Sequence, residues 1–270
     1  MQTSHRRKRP LAAGLACLVW VGGGFASSSI AEDARDSSAV AGSTRERPAP
    51  QIAPPNAAPK PPPAKALDLY VPPEIGFPGR RIGAGTRGLG RLASLQILAP
   101  DHLGYTTLEQ PTLYWYLSAP TETRIEFTLR DETSVEPLIE TQLASPAQPG
   151  IQGIRLADYG VKLRPDARYL WFVSLVSDPQ RRSKDFTAGA WIARRDPDPG
   201  LTERLAAAGD GAEGPVYAQS GLWYDAIAAL SSRIEHSSAD PAARAQRAAL
   251  LDQVGLSEVA AYDREAGAQR

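Results

Sequence analysis

The stretch RIEFTLR sets Ile125, Phe127 and Leu129 against Arg124, Glu126, Thr128 and Arg130 in strict alternation. A side-chain period of two fits a strand that buries one face and wets the other; it does not fit an amphipathic helix. Comparable runs recur between turn signals at Ser94–Leu98, Thr112–Leu117, Leu138–Leu143, Ile151–Leu156, Tyr169–Ser177 and Gly189–Ala193. TLYWYL and YLWFVSLV are apolar on both faces, as central strands of two facing sheets would be. Asp131-Glu132, Pro149-Gly150, Arg164-Pro165-Asp166 and Asp178-Pro179 mark the turns. Seven such strands in about 100 residues predict a mainly β fold, an immunoglobulin-like antiparallel β-sandwich.

The rhythm changes after Asp196-Pro197-Asp198-Pro199-Gly200. LTERLAAAG predicts a short helix over Leu201–Ala208, and GDGAEG breaks it. The next helix is expected from about Pro215 to Glu235, with Trp223, Ile227, Leu230 and Ile234 on one stripe. Asp240 sits where an N-cap belongs, Pro241 suits the first helical position, and Gly255 suits the C′ position after Val254. A last short helix is expected after Ser257. The two main helices form a C-terminal hairpin too small to bury a core alone, so it must lean on the sandwich or on another chain.

Ahead of these elements, Arg6 to Arg9 carry positive charge, Leu11–Val21 is apolar, and small residues follow. That order is the layout of a secretory signal peptide, with cleavage after Ala26 or Ala31 and an apolar run too short to serve as a membrane span. The chain is therefore expected in the periplasm or outside the cell. Residues 32–66 are rich in Pro and Ala and nearly free of large apolar side chains, which predicts a disordered linker. The expected organisation is residues 1–31 leader, 32–66 linker, 67–199 β-sandwich and 200–270 helical region.

Cys17, the only cysteine, lies inside the leader's apolar run. A mature chain then has no disulfide, thiolate nucleophile or cysteine-based zinc site. The 30 basic residues balance 30 acidic ones; removing four basic residues with the leader leaves 26 against 30. That balance argues against a general nucleic-acid binder. His102 and His236 are the histidines beyond the leader. Each is expected at the surface, and neither a GxSxG elbow nor an SxxK motif supplies a serine nucleophile. No catalytic residue, metal site or cofactor is expected.

FPGRRIGAGTRG, residues 77–88, is the most site-like stretch. Gly83, Gly85 and Gly88 match GxGxxG, but a strand, not a helix, is expected next, so the dinucleotide reading fails. Two readings stay open. One is a tight bend whose arginines fold back onto carbonyls or acidic side chains. The other is an anion or partner site formed by Arg80, Arg81 and Arg87. SGLWYDAIAAL offers Trp223, Tyr224 and Asp225 either as core or as an exposed protein-contact patch. It echoes the first helix of a tetratricopeptide repeat, yet no second copy follows at about 34 residues.

PGRRIGAGTRG, PTLYWYL, EFTLRD, YLWFVSLVSD, GAWIARR and SGLWYDAIAAL, taken in order over about Pro73 to Leu256, resemble the bacterial family called domain of unknown function nine-two-eight, found in secreted proteins. The resemblance implies an extracytoplasmic domain with no assigned activity, no known cofactor and no catalytic residues. Many members carry two cysteines where this chain has Gly90 and Ser177. If those cysteines pair in relatives, the two Cα atoms here should lie within about 7 Å. The expected function is a non-catalytic binding or assembly module contacting an envelope protein or an acidic polysaccharide. The alternatives are an accessory structural subunit of an envelope complex and a hydrolase with an unrecognised carboxylate pair.

Overall fold

A computed structural model describes residues 69–73, 80–83, 93–146, 148–237 and 240–268. Residues 1–66, expected to hold a leader and a linker, and Arg87 and Gly90 lie outside the described residues, so the expectations that rest on them are not addressed by the fold. The strands are β1 (Leu95–Ile97), β2 (Gly104–Thr106), β3 (Thr112–Leu117), β4 (Arg124–Asp131), β5 (Pro137–Leu143), β6 (Gly150–Arg155), β7 (Arg168–Val176) and β8 (Phe186–Arg194). The helices are α1 (Leu201–Ala208), α2 (Glu213–Gln219), α3 (Trp223–His236), α4 (Pro241–Gln253) and α5 (Ser257–Ala268).

Two sheets result: three strands in the order β1-β3-β6, and five in the order β2-β8-β7-β4-β5. The RIEFTLR alternation becomes β4 as its pattern requires. Ile125, Phe127 and Leu129 are fully buried, and the residues between them reach solvent. β7 lies between β4 and β8, antiparallel to both; its inward residues Tyr169, Trp171, Val173 and Leu175 are buried, whereas Phe172 and Ser174 on the other face reach solvent in part. The mainly β, sandwich-like architecture with a helical C-terminal part is thus the one the alternation implies.

Three local features depart from the sequence reading. β2, too short to show a period, joins β8 in parallel, so one sheet is mixed. The helix expected over Pro215–Glu235 is two helices, because Gly221 takes φ +72° and Ser220 and Gly221 turn the chain between α2 and α3. The helical part is therefore five helices among the described residues, larger than a hairpin.

The helices lean on the sheets. One continuous apolar cluster runs from Leu95, Phe127 and Trp171 in the strands to Trp223, Ile227, Leu251 and Val259 in the helices. Asp240 caps α4 by accepting a hydrogen bond from the Ala243 amide at 2.9 Å. The last three helices are also joined by buried charge. Arg247 on α4 makes a bidentate pair with Asp263 on α5, both bonds 2.7 Å, and donates to Ser231 Oγ on α3 at 2.7 Å. Arg247 and Asp263 are 4% and 0% exposed. Removing one partner of such a pair strands the other in an apolar setting. Asp263→Ala should therefore cost about 3–5 kcal/mol, measured by urea unfolding, whereas the exposed pair partner Asp158→Ala should change stability by about 1 kcal/mol or less.

Candidate functional site

The glycine-arginine stretch enters the described structure as a strap over residues 80–83. Ile82 exchanges two backbone hydrogen bonds with Gly189 on β8, at 2.8 and 2.9 Å. Gly83 follows with φ +82°, and a Cβ there would collide with the carbonyl oxygen of Thr187. Glycine is thus required at 83 by close backbone approach, as the bend reading holds.

The three arginines singled out in the sequence have separate fates. Arg81 folds back. Its Nη2 donates to the Val254 carbonyl at 2.9 Å, where α4 ends, and its backbone N–H donates to Asp101 Oδ1 at 3.0 Å. A cation at a helix C-terminus satisfies orphan carbonyls and complements the helix dipole. Burial lowers the Arg81 pKa from the ordinary guanidinium value, with Asp101 opposing the shift. Arg80 is exposed and has no partner among the described residues. Arg87 lies outside them.

A cavity of about 310 Å³ opens beside Arg81, with Gln96, Asp101 and Leu256 on its walls. From its wall Gln96 Nε2 donates to Glu258, which also accepts from Ser94 Oγ at 2.8 Å. Asp101 on its wall and Glu258 nearby make the surroundings net acidic, although Arg81 Nη1 is buried without a hydrogen-bond partner among the described residues. A wider cleft of about 690 Å³ is lined by Tyr105, Arg195 and Arg204. Its cations are also engaged. Arg195 stacks over the Tyr105 ring at 4.6 Å and donates to the Ser220 carbonyl at 2.7 Å, while Arg204 pairs with Asp198 at 2.6 Å.

The exposed patch considered for Trp223, Tyr224 and Asp225 does not exist, since they are 0%, 2% and 3% exposed. The first turn of α3 is driven into the core, where each polar atom finds a partner. Trp223 Nε1 donates to the Leu98 carbonyl at 2.9 Å, and its ring meets Tyr70 edge-on with centroids 5.0 Å apart. Tyr224 Oη accepts from Trp171 Nε1 and donates to the Trp191 carbonyl, both at 3.0 Å. Asp225 Oδ1 accepts from the Thr107 hydroxyl at 2.6 Å, and both its oxygens lie 3.2 Å from the Thr107 amide. Burial raises the carboxyl pKa above the usual aspartate range, and the Thr107 and Thr106 bonds only partly offset that rise. Burial likewise raises the phenols of Tyr70 and Tyr224.

The histidines stand apart. His102 is half-buried, not a plain surface residue; it stacks on Tyr70 with centroids 5.7 Å apart, and its Nε2 lies 3.3 Å from Tyr70 Oη. His236 is exposed at the end of α3. Among the described residues no group of three His, Cys, Asp or Glu side chains converges for a metal ion. The buried Arg247–Asp263 pair escaped sequence reasoning. Its one signal was that Arg247 shares a helical stripe with Ala243, Leu250 and Leu251, all buried.

Residues 82–263 match the family described as Domain of Unknown Function (DUF928). The chain belongs to this family. The DUF928 match begins at Ile82, the strap residue bonded to β8, and ends at Asp263, the carboxylate that closes the buried ion pair. No curated protein matches this DUF928 chain in sequence. Among solved structures, a multi-domain immunophilin from Arabidopsis thaliana aligns at 10% identity over 74% of this chain and 100% of that one, with a TM-score of 0.20. That likeness is too slight to bear on fold or function.

Arg81→Ala should lower stability by about 1–3 kcal/mol, since it removes a charge-assisted bond to a helix end, and a melting curve reads this directly. For Asp225, the raised folded-state pKa means the native state binds its proton more tightly than the unfolded chain. Its contribution to stability is therefore fully present below the ordinary aspartate pKa and is lost as pH rises through the folded value. Asp225→Asn should gain stability relative to the parent as pH is raised above about 4, in paired urea titrations. A constant difference across pH would show that the carboxyl has the same pKa in the folded and unfolded chain.

Proposed function

We propose that this chain is an exported, non-catalytic binding module that contacts an envelope or extracellular protein or polysaccharide. The basic–apolar–small order of its first 31 residues supports export. The observation that carries the binding reading is the division of labour in the strap. The backbone of Ile82 is bonded to β8 and the guanidinium of Arg81 to α4, so Arg80 is presented from a fixed edge with its charge unspent. A positioned surface arginine suits carboxylate, phosphate or sulfate recognition. The groups whose pKa values are most raised, Asp225, Tyr70 and Tyr224, are instead committed to bonds within the core. Perturbed groups serve catalysis when they face a cleft, and these support packing.

Incubating the secreted chain with envelopes of the cells that make it should give saturable sedimentation, weakened several-fold by Arg80→Ala at unchanged melting temperature. Turnover of a glycoside, ester or peptide substrate, abolished by one substitution in the described residues, would replace the binding reading with an enzymatic one.

A further inference from the structure

Residues directly opposite in neighbouring strands point to the same side of a sheet. Leu129, Trp171 and Ala190 form one rung of the five-stranded sheet and are almost wholly buried, so that rung faces inward. The adjacent rung faces outward. It runs Glu140, Thr128, Phe172, Gly189 and then, through the strap, Ile82. Five positions at strand spacing span roughly 19 Å.

The middle of this rung is an aromatic platform. Gly189 has no side chain, and a Cβ there would lie 2.8 Å from Phe172 Cε1 and 2.7 Å from the Trp171 carbonyl oxygen. The Phe172 ring therefore fills the space over β8 that a side chain at 189 would take, and it stays half-buried. Ile82 continues the apolar surface at 41% exposure. One flanking rung holds hydroxyls and an amide: Ser174 and Thr187, whose oxygens are 2.8 Å apart, and Gln142 beyond Glu126. The other flanking rung carries Trp191, Leu170 and Arg130.

Charge on this face is not balanced as it is in the whole chain. Glu126 is held by Arg124 at 2.8 Å and Arg182 at 2.6 Å, and Arg182 also meets Asp185. Glu140 is exposed on β5. Arg80 and Arg130 are exposed and, among the described residues, without partners. They lie on either side of the platform, one on the strap and one on β4.

We propose that this outer face binds an anionic polysaccharide, with a pyranose ring stacked on Phe172 and the sugar's carboxylates or sulfates met by Arg80 and Arg130. The inference rests on the binding-module reading and gives it a surface and a ligand chemistry. The C–H face of a pyranose is apolar and slightly positive, which matches the negative face of an aromatic ring. Sugar hydroxyls find the Ser174 and Thr187 oxygens and the Gln142 amide alongside. A peptide is the poorer fit: strand addition needs an unpaired sheet edge, and the platform lies on the sheet's face.

Affinity electrophoresis of the secreted chain in gels containing polygalacturonate, dextran sulfate or plain dextran tests this, with polyglutamate as a soluble competitor. At least one anionic glycan should retard the protein, plain dextran should not, and polyglutamate should compete poorly. Arg80→Glu with Arg130→Glu should weaken retardation about tenfold or more, as expected for losing charge-assisted contacts. Phe172→Leu keeps an apolar side chain over Gly189; it should weaken retardation about fivefold at unchanged melting temperature, as expected for losing one stacking contact. Failure of both anionic glycans, full competition by polyglutamate, or variants that migrate as the parent does would each overturn the assignment. If Phe172→Leu and Arg130→Glu, each alone, still sediment with envelopes undiminished while Arg80→Ala does not, the binding-module reading survives and this face is not its site. If the parent does not sediment at all, the broader reading fails first.

Discussion

The first turn of α3 holds the molecule together. Three consecutive side chains, Trp223, Tyr224 and Asp225, leave the same turn for three destinations: the Leu98 carbonyl, the Trp171–Trp191 pair and Thr107. Each brings a polar atom into the core, and each atom is met. Burying such a group without a partner costs a few kcal/mol, so the arrangement tolerates little displacement of the helix against the strands. This gives the helix one seating and not merely an apolar fit, which a stripe of Leu and Ile could satisfy in several ways.

The Arg247–Asp263 pair extends the same logic away from the sheets. Arg247 meets Asp263 on one side and Ser231 on the other, so α3, α4 and α5 share one satisfied cluster of charge and hydroxyl. Hydrophobic residues of similar size could be as stable. What the ion pair adds is geometry, because a bidentate guanidinium–carboxylate contact fixes both helices in register. Through α3 that register reaches the sheets, and through the end of α4 it reaches Arg81 and the strap.

The strap shows how architecture and surface chemistry can sit one residue apart. Arg81 spends its charge on a helix end and Arg80 spends none. Between the sheet's inner face, packed by Trp171 and Phe127, and its outer face, with Phe172 laid over Gly189, the alternation of β7 places one aromatic set in the core and another at the surface. Both follow from a single pleat.

Much of the fold was legible because its signals are local. The alternation in RIEFTLR fixed which face of β4 is buried, Asp240 and Pro241 fixed where α4 begins, and the glycine-rich stretch announced a close backbone approach that Gly83 bears out. Tertiary structure decided the rest. A residue pattern states that a face is covered but not by what, so Trp223, Tyr224 and Asp225 suited either a core or a surface patch until the sheets closed over them. β2 is three residues long, too short to carry a period, and only its hydrogen bonds to β8 make it a strand. Arg80 and Arg81 are chemically identical in the sequence; the distance to a helix end, set by chain segments more than a hundred residues apart, makes one a clamp and leaves the other free.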